Sequence, residues 1–548
     1  MTTLCPIMKM SRFSGLCGGV ILSIFGGAGC GGSPSDVLPT PEPIELPCRP
    51  SQAAPYADGI PYLGVHGDAG NSDIIRCKTG SAFTPVWHAL EGLGLTQPNT
   101  FSPDGSVTYA TTTHPQKGGC RLHAVDTVTG QVRWCKSFAP SIGRSSVEVD
   151  SAGMLYFTVD ASVVSLDASG QPRWTTTFES AVGGADAPWG LHFTPQGQVA
   201  TVTSSGTVHL LSREDGTRLD SLNIQEVYGF VAPEAGVALD ISALFPTSIQ
   251  ENIKTVWGNY DKVEDGPAFA NFLGQGDFVD NTLAIASTGD IYVIGGGPEQ
   301  GKGALVQLRM SGSAEAPKLQ RGWYVITHKG SATSPSISPG DRYVMISDGA
   351  AAENQTKSGI IDARVKVMDI PACDANTDAD PDEDICAVAY EQKLERGAAP
   401  GSPAIDADGV VYFYEFGLSW GWSETDRDLV AFDASGVKWS HPLSEDRDWT
   451  SVVTVTDNHI IGTATRVQPS DEQLGAVVFP QTSDDALVIL DRMSGEEIFS
   501  APVPDDSAAT VTVAPDGALY VGMYGLISVL TLDEKPTLGL LRFSPTAR

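Results

Sequence analysis

Residues 104–134 read DGSVTYATTTHPQKGGCRLHAVDTVTGQVRW, and residues 153–174 repeat the phrase as GMLYFTVDASVVSLDASGQPRW. Each copy opens at a glycine turn and continues as a β-rich run. A second strand follows and ends near an aspartate, and a Ser/Thr-Gly turn and a tryptophan close the copy. A period of about 45 residues with an all-β pattern is typical of propeller blades.

The opening turn of this phrase occurs eight times along the chain. The eight anchors are residues 104–105, 152–153, 196–197, 289–290, 340–341, 408–409, 457–458 and 516–517. A four-stranded blade has two apolar faces, and stacking around a closed ring covers both of them. We therefore predict an all-β fold, a single β-propeller of four-stranded blades, with eight blades and with seven as the alternative.

Two recurring residue types have a structural role in this prediction. The tryptophans near the unit ends (Trp134, Trp174 and Trp439) are expected to wedge between neighbouring blades. The recurring aspartates are expected to accept hydrogen bonds from turn amides.

The repeat period is interrupted between residues 196–197 and 289–290, where about one extra blade-length of chain is present. Residues 225–278 are interpreted as a partly helical insertion that caps one face of the ring. Residues 241–245 and 249–253 are its two expected short helices. A degenerate ninth blade is the alternative.

The N-terminus has the composition of an export signal. Lys9 and Arg12 precede an apolar run that is too short to cross a membrane as a helix. Residues 1–29 are therefore predicted to be a signal peptide, residues 30–55 a Pro-rich tether and residues 56–548 the propeller. This signal could be of the lipoprotein type, which is described next, and an ordinary secretory signal that is cleaved nearby is the alternative.

The small residues directly before Cys30 resemble the bacterial lipoprotein signal. This resemblance implies that Cys30 becomes the mature N-terminus and carries diacylglycerol. Gly27 departs from the pattern, because that family usually has leucine there. The implied location is the outer membrane, reached through a lipid anchor alone and facing either the periplasm or the surface.

Cysteine usage agrees with export. Of nine cysteines, six remain after Cys30 and the two in the signal, and six allow fifteen pairings. Neighbours in sequence favour three pairs: Cys48 with Cys77, Cys120 with Cys135, and Cys373 with Cys386. The middle pair is the best argued, because it brackets a turn almost symmetrically.

The charge balance limits the partners. The chain has 66 acidic and 34 basic residues and a formal net charge of −32. Such a field disfavours nucleic acid and anionic lipid surfaces. We therefore expect no nucleic-acid partner.

The repeated phrases resemble the quinoprotein-type (PQQ-like) β-propeller repeat family over roughly residues 80–545. That family includes cofactor-using alcohol dehydrogenases. It also includes cofactor-free lipoproteins such as the propeller subunit of the outer-membrane barrel-assembly machinery. In the dehydrogenases a vicinal disulfide stacks on the cofactor, and this sequence has no Cys-Cys dipeptide. Pyrroloquinoline quinone is therefore not expected as a cofactor.

The loop 373–386 places Asp or Asn at every second position and resembles the calcium loops of thrombospondin type 3 repeats. Calcium takes six to eight oxygen ligands, which alternating carboxylates and amides can supply. We predict a structural calcium ion, and an acidic loop without an ion is the alternative. The candidate ligands are Asp374, Asn376, Asp378, Asp380, Asp382 and Asp384.

A second loop is rich in aromatic residues. Tyr414, Phe416, Trp420 and Trp422 lie within nine positions and are candidates for binding a protein or a sugar. Packing against a neighbouring blade is the alternative.

These observations together predict an exported lipoprotein whose propeller is a non-enzymatic scaffold or binding module for envelope proteins. Residues 225–278 and 414–428 are the expected contact regions. A quinone-dependent oxidoreductase is the alternative. A propeller that binds surface glycans through the aromatic loop is a further one.

Overall fold

The computed structural model describes the propeller and the segment that precedes it, and the described residues belong to one unit, Glu45–Thr546. The described residues are 48–95, 97–112, 119–138, 145–180, 183–231, 278–279, 281–327, 333–348, 364–376, 386–394, 402–414, 429–441, 447–474, 477–507, 509–524 and 537–546.

Two strands come before the first blade and join blades formed later in the chain. They are β1 (Ile74–Ile75) and β2 (Phe83–Ala89). The described residues also include two short helices between strands, α1 (Ile224–Tyr228) and α2 (Ile370–Asn376).

The first four blades follow one another in sequence, and each is a four-stranded antiparallel meander. Blade 1 is β3 (Thr100–Phe101), β4 (Val107–Thr111), β5 (Cys120–Asp126) and β6 (Val132–Ser137). Blade 2 is β7 (Glu148–Val149), β8 (Leu155–Val159), β9 (Ser162–Leu166) and β10 (Pro172–Thr177). Blade 3 is β11 (Pro188–Phe193), β12 (Val199–Thr203), β13 (Thr207–Leu211) and β14 (Arg218–Asn223). Blade 4 is β15 (Ala284–Ile285), β16 (Ile291–Gly296), β17 (Gly303–Gly312) and β18 (Pro317–Thr327).

The last four blades follow the same plan, and two of them take strands from the N-terminus. Blade 5 is β19 (Ser336–Ile337), β20 (Tyr343–Asp348), β21 (Arg364–Asp369) and β22 (Val388–Lys393). Blade 6 is β23 (Ala404–Ile405), β24 (Val411–Tyr414), β25 (Leu429–Asp433) and β26 (Gly436–His441). Blade 7 is β28 (Thr454–Thr456), β29 (His459–Leu474), β30 (Val477–Asp491) and β31 (Glu497–Pro502), with β27 (Asp448–Trp449) and β1 added. Blade 8 is β32 (Thr512–Val513), β33 (Leu519–Met523), β34 (Gly539–Pro545) and β2.

The eight predicted anchors are the eight turns between the first and second strands of the blades. The eight-bladed propeller is therefore confirmed, and the seven-bladed alternative is wrong. The degenerate ninth blade is also wrong, because β11 and β14 of blade 3 pack directly against β15 and β18 of blade 4. The start of the insertion is helix α1, and residues 232–277, with both helices expected there, lie outside the described residues.

The ring is closed by β2, which pairs with β34 as the outermost strand of blade 8. The closing strand therefore comes from the N-terminal side of the repeats, and the other three strands come from the C-terminus. Closure of this kind covers the faces of the first and last blades, and each blade keeps only a short outer edge.

The middle strands of the blades form the core. Strands β4, β8 and β12 are buried along their whole length, so both faces of each sheet are covered by neighbours. The outermost strands are partly exposed, as in β10. This gradient is what stacked, twisted sheets around an axis require.

The tryptophans lock consecutive blades together, as predicted. The ring of each one lies on the glycine of the last turn in the next blade, and its indole N–H donates to a backbone carbonyl in three of four cases. The contacts are Trp87 on Gly130, Trp134 on Gly170, Trp174 on Gly216, and Trp439 on Gly495.

The recurring aspartates accept hydrogen bonds from turn amides, as predicted. The Asp126 carboxylate accepts from the backbone N–H groups of Val128 (3.1 Å) and Thr129 (2.8 Å). Arg133 and these turn donors lower the pKa of Asp126 to about 2. Each such turn is therefore tied down by its own carboxylate.

The structure contains the three disulfides that the sequence favours, with Cα–Cα distances of 5.0–5.7 Å. Cys120–Cys135 joins adjacent strands of blade 1, and Cys373–Cys386 lies within blade 5. Cys48–Cys77 lies outside the repeats, in the segment that precedes β2.

Candidate functional site: the filled channel

The centre of the ring is filled by residues 48–79, which we call the channel plug. The plug contains residues 48–55, which the sequence assigned to the tether. Cys48 is buried within the core, as are Tyr56 and Tyr62. The first strands of blades 2 to 7 hydrogen-bond to the plug, so the axis of the propeller is packed with this chain's own residues.

Backbone groups join the plug to four successive blades. The carbonyl oxygens of plug residues accept from the first strands of blades 4, 5, 6 and 7 in turn. The bonds are Ile285 N–H to Ala69 (2.7 Å), Ile337 to Gly70 (2.7 Å), Ile405 to Ser72 (3.2 Å) and Val455 to Asp73 (2.9 Å). Almost every buried backbone N–H in a native protein has a partner, and here the plug provides it.

Both ends of the plug lie at one face of the ring, which we call the turn face because it carries the eight anchors. The Ser151 N–H donates to the Pro55 carbonyl (2.8 Å), and the Asp457 N–H donates to the Cys77 carbonyl (2.9 Å). The middle of the plug reaches the other ends of the first strands. There the Asn71 side-chain amide donates to the carbonyls of Leu283 and Pro335.

A buried polar cluster joins the plug to blades 2 and 3. The Nδ1 atom of His192 lies 2.5 Å from a carboxylate oxygen of Glu148, and the Tyr56 hydroxyl donates to the other oxygen at 2.7 Å. Glu148, His192 and Asn71 are at most 1 % exposed. Burial raises the pKa of Glu148, and His192 and Tyr56 oppose that shift.

Both ring nitrogens of His192 have a buried partner. The Asn71 amide nitrogen donates to two backbone carbonyls, and its oxygen faces Nε2 of His192 at 2.9 Å. A carboxylate oxygen of Glu148 faces Nδ1, so His192 and Glu148 form a buried hydrogen-bonded pair.

A second pair lies inside the plug. The Nδ1 atom of His66 is 2.9 Å from an oxygen of Asp73, which is fully buried. Burial raises the pKa of Asp73 to about 6, against the effect of His66. Burial also raises the pKa of Asp68, whose carboxylate accepts from the hydroxyl and the backbone N–H of Ser72.

The plug leaves little free volume beside this cluster. A Cβ atom added to Gly64 would lie 2.5 Å from a Glu148 oxygen and 3.2 Å from the His192 ring. Glycine is therefore required where the plug backbone passes the His192–Glu148 pair.

The structure gives Asp374, one of the predicted calcium ligands, a different set of partners. Its carboxylate accepts from Gln307 (3.0 Å) and Trp323 (2.9 Å) of blade 4. Asn376 ends helix α2, a helix that the sequence did not predict. Asp378, Asp380, Asp382 and Asp384 lie outside the described residues. Within the described residues, no three His, Cys, Asp or Glu side chains form a metal-binding group.

The remaining predicted sites are mostly outside the described residues. Tyr414 ends strand β24 and is buried, whereas Phe416, Trp420 and Trp422 are not described. The predicted lipidation site, Cys30, is not described either. No helix in the described part of the chain combines the length and the apolar character that a membrane crossing needs.

Sequence reasoning missed the channel cluster. Asn71, Glu148 and His192 are widely separated, belong to no motif and meet only at the axis. Residues 56–77 gave one weak signal, because they precede the repeats and lack the repeated phrase.

Comparison with known proteins agrees with this architecture. A PQQ-type family model, described as outer membrane protein assembly factor BamB, matches residues 86–240. The resemblance to the PQQ-like repeat family is confirmed. No curated protein matches the chain.

Solved structures with PQQ-like repeats are similar over most of this chain. Quinohemoprotein alcohol dehydrogenase from Comamonas testosteroni has a TM-score of 0.54 at 13% identity and covers 91% of this chain and 82% of its own. BamB from Moraxella catarrhalis has a TM-score of 0.44 at 13% identity, over 84% of this chain and 99% of its own. A europium-containing methanol dehydrogenase has a TM-score of 0.48 at 11% identity, over 89% and 98%. At these identities the likeness shows the fold alone.

Proposed function

We propose that this propeller is a non-enzymatic scaffold or binding module of the cell envelope, exported and held at the outer membrane through a lipid on Cys30. The observation that carries the proposal is the filled channel. A ring of blades offers one natural concave site at its axis, and ligand sites are concave. Here that site is taken by the channel plug.

The chemistry of the channel also supports a structural role. His192 and Glu148 are hydrogen-bonded to each other, and Asn71 and Tyr56 bond the second polar atom of each. A catalytic base must reach a substrate proton, whereas these groups are enclosed by the plug. The quinone-dependent oxidoreductase is the alternative that must be tested, since an alcohol dehydrogenase shares the fold.

The proposed partners are proteins of the envelope. The family model that matches residues 86–240 describes an outer-membrane assembly factor, and the strongly acidic chain disfavours nucleic acid. The loops at the faces of the ring would provide specificity, because rigid scaffolds commonly bind through their loops.

The decisive experiment separates binding module from enzyme. The purified mature protein is mixed with pyrroloquinoline quinone and calcium, freed of excess by gel filtration, and examined for quinone absorbance and for dye reduction with alcohols and sugars. We expect no retained quinone and no turnover. A quinohemoprotein alcohol dehydrogenase stripped of its quinone and treated in parallel is the positive control. One retained quinone per chain together with turnover would overturn the proposal.

The partner is sought by crosslinking in intact cells followed by affinity purification and mass spectrometry. A Cys30→Ala variant, which cannot receive the lipid, is the matched control for location. The proposal predicts that the native chain fractionates with the outer membrane and that the variant is released in soluble form. Equal fractionation of both would remove the lipid anchor from the proposal.

A further inference from the structure

The channel plug is the element that ties the ring together across its centre. It forms hydrogen bonds with seven of the eight blades: with blade 2 through Ser151, with blade 3 through His192, with blades 4 to 7 through the four carbonyls described above, and with blade 8 through Thr510. By comparison, each tryptophan contact joins only two neighbouring blades.

Loss of the plug would expose groups that otherwise have no partner. The N–H groups of Ile285, Ile337, Ile405 and Val455 all point to plug carbonyls. Departure of the plug would leave them to water that enters the channel, so their exchange with solvent reports directly on whether the plug is in place.

A covalent bond closes the plug where it enters and leaves the ring. Cys48 and Cys77 stand at its two ends, both at the turn face, with a sequence separation of 29. The other two disulfides each lie within one blade and do not cross the channel. Cys48 is fully buried and Cys77 is half-buried, so a reductant approaches from the Cys77 side.

We propose that Cys48–Cys77 is a redox-controlled lock on the channel plug. In the oxidised form the two ends are held together and the plug stays in the channel. Reduction by a dithiol transfers two electrons and two protons to the bond, gives two thiols and leaves the dithiol as a disulfide. The freed plug then leaves its backbone bonds and the axial channel opens. The lock operates irrespective of the proposed binding role.

The lock predicts a redox dependence of four particular amides. The chain is compared before and after treatment with dithiothreitol by hydrogen exchange, with thiols counted by mass. Exchange of the amides of Ile285, Ile337, Ile405 and Val455 is expected to rise about 500-fold on reduction, the scale set by closing a loop of this length. Amides in the middle strands, such as those of β12, are expected to stay protected.

Two variants assign the effect to one bond. The Cys48→Ser/Cys77→Ser variant should show the fast exchange without reductant, and the Cys120→Ser/Cys135→Ser variant should keep slow exchange until reductant is added. If the first variant fails to fold, graded reduction of the folded native chain gives the same information. Unchanged exchange of the four amides after both Cys48 and Cys77 are free thiols would overturn the proposal, as would a uniform rise throughout the ring.

Discussion

Substitution of Gly130 by alanine tests whether the tryptophan contacts stabilise the junction between blade 8 and blade 1. Gly130 lies in blade 1, has a φ of +72° and donates its N–H to the Asp126 carbonyl at 2.9 Å. A Cβ atom there would meet Trp87 of the closing strand β2 at 2.8, 3.0 and 3.1 Å. The left-handed backbone and the contact with Trp87 both oppose the new methyl group.

The expected magnitude is the sum of two terms. An alanine at this φ costs about 1–2 kcal/mol relative to glycine. Carbon atoms pack at about 3.5 Å or more, so the indole must move by roughly 0.7 Å, and overpacking of this kind costs about 1–3 kcal/mol. Gly130→Ala should therefore lower the free energy of unfolding by about 2–5 kcal/mol.

Gly229 is the matched control. Its φ is +70°, its N–H also bonds to the carbonyl four residues earlier, and nothing lies within 4 Å of an added Cβ atom. Gly229→Ala should cost only the backbone term of about 1–2 kcal/mol. Urea denaturation followed by tryptophan fluorescence measures both variants, and equal losses would refute the packing argument. A Trp87→Ala background gives a second check, because Gly130→Ala should there cost no more than the control.

Three further predictions concern the channel and the acidic loop. His192→Gln removes the ring nitrogen that bonds the buried Glu148 carboxyl group, so urea denaturation at pH 8 should show a loss of about 1–3 kcal/mol. The loss should shrink at pH 5 as Glu148, whose pKa is raised by burial, takes up a proton, and a pH-independent loss would contradict this role of Glu148. The pKa of Asp73 is raised by burial to about 6, so its contribution to stability is present below about pH 4 and is lost as the pH rises through 6. Asp73→Asn should remove that part of the pH dependence in urea midpoints from pH 4 to 7, and an unchanged slope would count against the raised pKa. If the acidic loop binds structural calcium, a chelator should lower the Tm of the native chain but not that of an Asp378→Asn/Asp380→Asn variant, and the same response in both would dismiss the site.

The repeat architecture could be predicted because its signals are local. Each anchor combines a turn glycine or its equivalent with an aspartate and two β-rich runs, and all eight mark the first hairpin of a blade. The roles of Trp134, Trp174 and Trp439 were predicted for the same reason. The hydrogen bonds of Asp374 were not predicted, because its partners Gln307 and Trp323 belong to the preceding blade. Contacts between blades depend on how the sheets stack, and no short stretch of sequence records that.

The disulfides could be predicted from the sequence only in part. Cys120–Cys135 was predicted from its nearly symmetric position about one turn, although the strand register places Cys120 opposite Ser137 and Cys135 opposite His123. Proximity in sequence also favoured the pairing of Cys48 with Cys77. It did not predict that this disulfide lies at the turn face, because that position depends on where the plug enters and leaves the closed ring.

The amino-acid sequence alone determined that the chain builds four-stranded β units, which must stack in a circle to cover both faces of each sheet, and it favoured eight units with seven as the alternative. It did so because turns and strand periodicity are properties of a few consecutive residues. The tertiary structure decided what fills the centre. Asn71, Glu148 and His192 become neighbours only when blades 2 and 3 pack side by side against the plug, so the cluster is a product of the tertiary structure.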